Sequence, residues 1–448
     1  MAEGTPGTAV PAMPPVPPPV PDAPLDGSSD DAQAMGLAPV TILRQIVAAC
    51  TYPELLEDLA VPEGARCRAR RILQEMEAGN IGGYNHEHRA LGVPRRVAQF
   101  LQRRDGGVPR DPHSMVLTSG TSSILPFVMS LLVDETSACP SGVLVPVPAP
   151  PVHAGAAGLA GAVAVPYALA EEQGWAVDVG MVRQELRRAR ARCHPKVLCV
   201  VNPGDPTGHV LSRQNMVDII QLVADENLLQ LADEVGAGGG CWGVALAFTL
   251  SSPDLWVPQD RAFDADHPFV SFKRVLWEMG APFCSTVQVI SFYFLSKSIA
   301  GNGFRVGFLE LVHVEQAVVR PFQVAQSIPR PCVLGRILLD ILMEPPDKGD
   351  PIQQALEEPG QGGARACPRL QLPPRALRQA QELGLEPDVF FCQQLLGATG
   401  VLLAPGSEFG QPSGTQHVVV SLLPPAATLK RILLALTHFH ATFIQAFS

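Results

Sequence analysis

KVLCVVNPGDPTG, residues 196–208, decides the fold. The apolar run Val197–Val201 is too short for a helix and stops at a loop holding two prolines and two glycines in seven residues. A continuous apolar run ended by turn residues reads as a strand buried on both faces, the kind found in parallel sheets. The loop after it is an ordinary turn when read alone. Its rigidity also holds Asn202 and Asp205 where they can meet a ligand.

The same grammar recurs along the chain. MVLTSG (115–120), GVLVPVP (142–148), QLADEV (230–235) and VQVISFYFLSK (287–297) are short apolar runs. Between them lie stretches with helical spacing, such as SSILPFVMSLLV (122–133), MVRQELRRARARC (181–193) and NMVDIIQLVADENLL (215–229). Alternating strands and helices predict an α/β fold with a parallel sheet covered on both faces. Ligands of such sheets bind at the carboxyl ends of the strands. TSGTS (118–122), NPGDPTG (202–208), ADEV (232–235) and SFYFLSK (291–297) all fall there, which predicts one site on one edge.

Outside this core, residues 1–28 are rich in proline and predict a disordered arm, and 29–105 carry amphipathic helices at 40–50, 66–77 and 93–103. The large α/β domain spans 106–330, and a smaller α+β lobe spans 331–448, with a Pro/Gly-rich linker-like stretch at 344–369.

The chain has 448 residues, 46% hydrophobic and 17% charged, with a net charge of −10. That acidic balance argues against nucleic acid or an anionic membrane as partner. None of the ten cysteines forms a Cys-x-x-Cys pair, so a zinc ribbon or thioredoxin-type site is not expected. No His/Cys/Asp spacing suggests a metal. No apolar run reaches the ~18 residues of a membrane helix. The N-terminus lacks the features of a signal peptide or presequence, so the cytosol is the expected compartment.

Lys297 sits among small and hydroxyl residues, and Arg305 follows eight positions later. A surface loop is the plain reading. The sharper one is an imine-forming lysine with a phosphate-clamping arginine. A pyridoxal phosphate site needs a primary amine, a carboxylate that keeps the pyridine nitrogen protonated, and donors for the phosphate. Lys297, Asp233 and Arg305 are of these types, and TSGTS can place N–H and O–H groups on a phosphate, although it also suits a plain helix cap. Asp233 by itself reads somewhat more readily as a turn acid, but Asp233 and Lys297 on neighbouring strand ends explain each other. His153 can reach the site edge, but a lone histidine carries no function by default.

Taken together, NPGDPTG, LADEV, and SK with an arginine eight positions on resemble the fold-type I, class I pyridoxal-phosphate aminotransferases. DDAQAMGLAPVTILRQ (30–45), FLQRRDGGVPRDP (100–112), FVSFKRVLWEMGAP (269–282), LQLPPRALRQAQELGLEPDVFFCQQLL (370–396) and APGSEFGQPSGTQH (404–417) are similar to the animal alanine aminotransferases among them. The resemblance covers roughly residues 28–448, with breaks. It implies a large domain with a mostly parallel, seven-stranded-type sheet, a small C-terminal lobe, and a homodimer with its site at the subunit interface. It also implies pyridoxal 5′-phosphate as cofactor, and an amino acid and a 2-oxo acid as substrates. The reaction would be ping-pong transfer from L-alanine to 2-oxoglutarate, giving pyruvate and L-glutamate. Lys297 matches the lysine that holds the cofactor and shuttles the proton. Asp233 matches the partner of the pyridine nitrogen, and Arg305 the phosphate arginine. Gly120, Thr121 and Ser122 match the phosphate loop. Asn202 and Ser296 lie in the matching motifs, and Tyr84 falls where the family supplies a tyrosine to the neighbouring subunit's phosphate.

Several site positions depart from the family. The asparagine that donates to the cofactor's phenolic oxygen is Asp205, and an ionised Asp only accepts. Gly236, Pro150 and Phe294 replace two tyrosines and a hydroxyl. The arginine for the substrate α-carboxylate is Val419, and residues 236–257 form an insertion without counterpart. These changes predict weak cofactor binding and poor turnover. The alternative is an impaired aminotransferase-fold paralogue that binds cofactor or another partner.

Overall fold

The computed structural model describes residues 24–29, 31, 33–36, 38–76, 79–83, 92–133, 137–234, 269–295, 301–324, 330–344, 365–412 and 414–448. Its strands are β1 (Leu25–Asp26), β2 (Met115–Thr118), β3 (Ser141–Val147), β4 (Val163–Ala168), β5 (His194–Val201), β6 (Leu229–Asp233), β7 (Val289–Phe294), β8 (Gly307–Val312), β9 (Arg365–Ala366), β10 (Val401–Leu402), β11 (Ala404–Pro405) and β12 (Val418–Ser421).

The apolar run Val197–Val201 lies in β5, near the middle of a seven-stranded sheet of order β2-β8-β7-β6-β5-β3-β4. The β3–β4, β3–β5, β5–β6 and β6–β7 pairs are parallel, whereas β8 runs antiparallel to both of its neighbours, β7 and β2. Side chains on each strand alternate between two cores, as the two-residue strand period requires. Leu144, Leu198, Val200 and Ala232 face the core closed by the helices Val179–Ala189, Arg213–Asp225 and Phe272–Met279. Val143, Val145, Val197, Cys199 and Leu231 face the core closed by Thr121–Leu132 and Val152–Leu159. The expected α/β class with a mostly parallel sheet is therefore what the chain adopts.

The N-terminal helices Thr41–Thr51 and Glu63–Glu75 pack on Val333–Met343, and Gly92–Arg104 packs on β2, β7 and β8. In the C-terminal part, a three-stranded antiparallel sheet of order β11-β12-β9 packs with the helices Pro374–Glu382, Pro387–Thr399 and Ala426–Phe447.

Two expectations need correction. The arm read as disordered to residue 28 is ordered at its end. Leu25 N–H donates to the Gly400 carbonyl and Gly27 N–H to that of Leu402, both at 2.8 Å, so β1 adds in parallel to β10. Backbone pairing on an open strand edge holds these residues without needing side-chain hydrophobicity. The stretch read as linker-like, 344–369, is structured at both ends. Glu344 pairs with Arg71 at 3.0 Å, and β9 begins at Arg365. The insertion at 236–257 lies outside the described residues. Among the described residues no helix is long and apolar enough to cross a membrane.

Candidate active site

β2 ends at Thr118, and the chain turns through Ser119 and Gly120 into the helix Thr121–Leu132. Gly120 has φ 134, a conformation that favours glycine, and caps the helix without a side-chain bond. The Arg305 guanidinium lies directly over it: a Cβ at Gly120 would stand 2.6 Å from Arg305 Nη2. Ser119, Gly120, Thr121, Ser122, Phe294 and Arg305 line a cavity of about 170 Å³. First-turn N–H groups, three hydroxyls and a guanidinium converge there, a donor set that suits a phosphate group. Arg305 takes φ 44, uncommon for a side-chain-bearing residue and a feature of ligand-holding positions.

Asp233 closes β6 on the same edge and is buried. Its Oδ2 lies 3.0 Å from His153 Nε2, and His153 Nδ1 lies 3.3 Å from the Pro150 carbonyl. Burial is the largest influence on His153 and opposes its charge. The Asp233 hydrogen bond and charge, the Pro150 carbonyl and the Asp205 charge together outweigh it and raise the imidazole pKa. A buried carboxylate backed by an imidazole can hold a protonated ring nitrogen.

The loop after β5 supplies rigidity more than contacts. Asn202 is fully buried; its N–H donates to the Asp233 carbonyl at 2.9 Å, and its Oδ1 accepts from Leu211 N–H at 2.9 Å. Asn202 thus ties the loop to β6. Thr207 Oγ1 meets His209 Nδ1 at 2.6 Å, and burial lowers the His209 pKa to about 4. Asp205, in the same loop, is a carboxylate that can only accept when ionised. Its Oδ1 lies 3.0 Å from Arg365 Nη1, so its charge is countered from the C-terminal sheet. Arg365 Cζ also sits 5.3 Å from the Phe409 ring centroid.

Glu234, next to Asp233, is fully buried and accepts from Phe272 N–H at 2.8 Å. Burial pushes its carboxyl up to about 7, against the opposing pull of Arg104. Behind it lies a charged cluster in which Arg110 contacts Asp105 and Glu310, and Lys273 also contacts Glu310.

The structure therefore brings Gly120, Thr121, Ser122 and Arg305 into one cup, and places Asn202, Asp205 and Asp233 at the carboxyl ends of β5 and β6. Lys297, Ser296 and Tyr84 lie outside the described residues. β7, which leads into Lys297, ends at Phe294 in the cup wall. Val419 is fully buried on β12 opposite Ala404. Sequence reasoning gave His153 no role by default and missed Arg365. The only signal for His153 was its place just after a strand's carboxyl end.

The sequence profile of the family described as Aminotransferase class I and II matches residues 58–357. The chain is 38% identical to alanine aminotransferase 1 of Bos taurus over 449 aligned positions, covering 93% of this chain and 86% of that protein. It is 32% identical to glutamate–glyoxylate aminotransferase 1 of Arabidopsis thaliana, covering 92% and 88%. Among solved structures, an Escherichia coli aminotransferase superposes with a TM-score of 0.66 at 17% identity, covering 94% of this chain and 92% of that one. Alanine aminotransferase from Pyrococcus furiosus gives 0.64, also at 17% identity, covering 94% and 93%. These two likenesses speak to the fold, and the profile and sequence relatives to descent: the chain belongs to the class I and II aminotransferase family.

Proposed function

We propose that this chain is a pyridoxal 5′-phosphate-dependent aminotransferase that moves the amino group of L-alanine to 2-oxoglutarate, in two half-reactions through one site. The observation that carries this reading is the shared sheet edge of an anion cup and a His153-backed Asp233. The donor set fits the cofactor's phosphate, and the buried carboxylate fits its ring nitrogen. When bound, the cofactor supplies an electron sink for the pair left behind as the substrate Cα loses its proton.

Gly120, Thr121, Ser122 and Arg305 hold the phosphate and fix the ring's position. Asp233 holds the proton at the ring nitrogen, and His153 fixes the Asp233 carboxylate. Lys297 supplies the amine that holds the cofactor and moves the proton at the substrate Cα. The similarity to alanine aminotransferases supports alanine as donor. The family resemblance further supports a homodimer in which Tyr84 reaches the phosphate of the neighbouring subunit. Val419 leaves the substrate carboxylate without a cation at that position, which supports slow turnover.

The test is an absorbance spectrum of purified protein with added pyridoxal phosphate, then borohydride reduction and mass analysis. An absorbance band and a reduced adduct on Lys297, followed by pyruvate formation from alanine and 2-oxoglutarate, are expected. No band and no adduct would overturn the reading.

A further inference from the structure

We propose that Arg365 is the specificity-determining cation of this site, receiving the substrate carboxylate that Val419 cannot bind. The inference rests on the aminotransferase reading above. An amino acid or 2-oxo acid presents a carboxylate, and a carboxylate entering a half-buried cleft needs a charge-assisted partner. Val419 supplies none.

The C-terminal sheet supplies one a single diagonal step away. In the β12–β9 register, Ser421 stands opposite Arg365 and Val420 opposite Ala366. Residues two apart on a strand point to the same face, so Val419 shares the face of Ser421 and Arg365. Diagonal neighbours are about 7–8 Å apart at the backbone, within the reach of an arginine side chain.

The Arg365 side chain is directed at the site. Its Nη1 meets Asp205 Oδ1, 3.0 Å away, in the loop that follows β5. The Asp205 charge in turn helps keep the proton on His153, the residue bonded to Asp233. Phe409 flanks the guanidinium, and its carbonyl accepts from Ala149 N–H at 2.9 Å, next to Pro150. Arg365 therefore bridges the C-terminal sheet and the loop edge where a substrate must lie. Its side chain is 14% exposed and that of Asp205 20%, so both remain within reach of a small molecule.

In this arrangement Asp205 is a built-in competitor. It holds the guanidinium in position, and an incoming carboxylate either displaces it or shares the planar fork, which offers donors on two edges. Selectivity for carboxylates and modest affinity follow together.

The test is calorimetric titration of the full chain with glutarate, a dicarboxylate with neither amine nor ketone, and with its neutral diamide as control. Each is run with and without pyridoxal phosphate. Wild type should bind glutarate and ignore the diamide. R365Q should bind at least about tenfold more weakly, the loss expected for a hydrogen bond to a charged group. R365K should fall between, because it keeps the charge and loses the fork. D205N, which keeps the loop and removes the competitor, should bind about three- to tenfold more tightly, the scale of a weak surface ion pair. Glutarate affinity unchanged in R365Q would overturn the proposal, as would no binding by wild type. The cofactor band is read separately: its absence defeats the aminotransferase reading, while its presence with an R365Q affinity equal to wild type defeats only the role of Arg365.

Discussion

His153 Nε2 and Asp233 Oδ2 stand 3.0 Å apart, both buried, at the carboxyl end of β6. An imidazole in this place fixes the direction of the carboxylate.

The pair makes stability depend on pH in a defined direction. The His153 pKa is raised above its ordinary 6.5 in the folded chain. Its stabilisation is therefore complete below about 6.5 and is lost as pH rises through the raised value. Thermal unfolding of cofactor-free wild type and H153N should differ most near pH 6, and the gap should close toward pH 9. A gap that widens with pH would refute the ion pair. H153N should also bind pyridoxal phosphate about tenfold more weakly, the scale of a lost charge-assisted hydrogen bond.

Gly120 is required twice, by its φ of 134 and by the guanidinium above it. G120A must push Arg305 away or strain the turn. Affinity for pyridoxal phosphate should drop by about a hundredfold or more, as for losing one strong contact to a charged group. Affinity for pyridoxal, which lacks the phosphate, should change little. Equal losses for the two would place the phosphate elsewhere.

Glu234 gives the opposite test. Its folded carboxyl is raised from 4.5 to about 7, so the folded state holds its proton more tightly than the unfolded state. Stability should fall between pH 4.5 and 7, where the unfolded chain loses this proton and the folded chain keeps it. E234Q removes this slope, and above pH 7 it should exceed wild type by up to about 3 kcal/mol in urea unfolding. The amide oxygen can still accept from Phe272 N–H.

V419R introduces a second guanidinium onto the face that carries Arg365. In wild type it should destabilise by on the order of 3 kcal/mol, as an uncompensated buried charge does. In the V419R/R365Q double variant part of that loss should return, and alanine turnover should exceed that of R365Q alone. Additive losses in the double variant would show that the side chains at the two positions do not interact.

The sheet was legible because five of its strands are apolar runs ended by turn residues, which only a doubly covered strand tolerates. The direction of β8 was not, since nothing in GFLELV distinguishes a strand running back from one running forward. The phosphate cup was legible because small hydroxyl residues follow a strand and precede a helix. The Asp205–Arg365 pair was hidden by 160 residues of separation and by the Pro/Gly-rich composition just before Arg365. His153 was hidden for a different reason: its role depends on β3 and β6 lying two strands apart in the sheet, an order that no local pattern encodes.

The two-residue β1–β10 ladder also sets an order of assembly. Leu25 leaves the ribosome long before Val401, so at ~5–20 residues per second the first strand waits for some tens of seconds before its partner exists. A chain clipped after residue 28 would fold its C-terminal lobe with the β10 edge bare, and a bare edge recruits strands from other molecules. The ladder thus protects the finished lobe against aggregation as well as completing its fold.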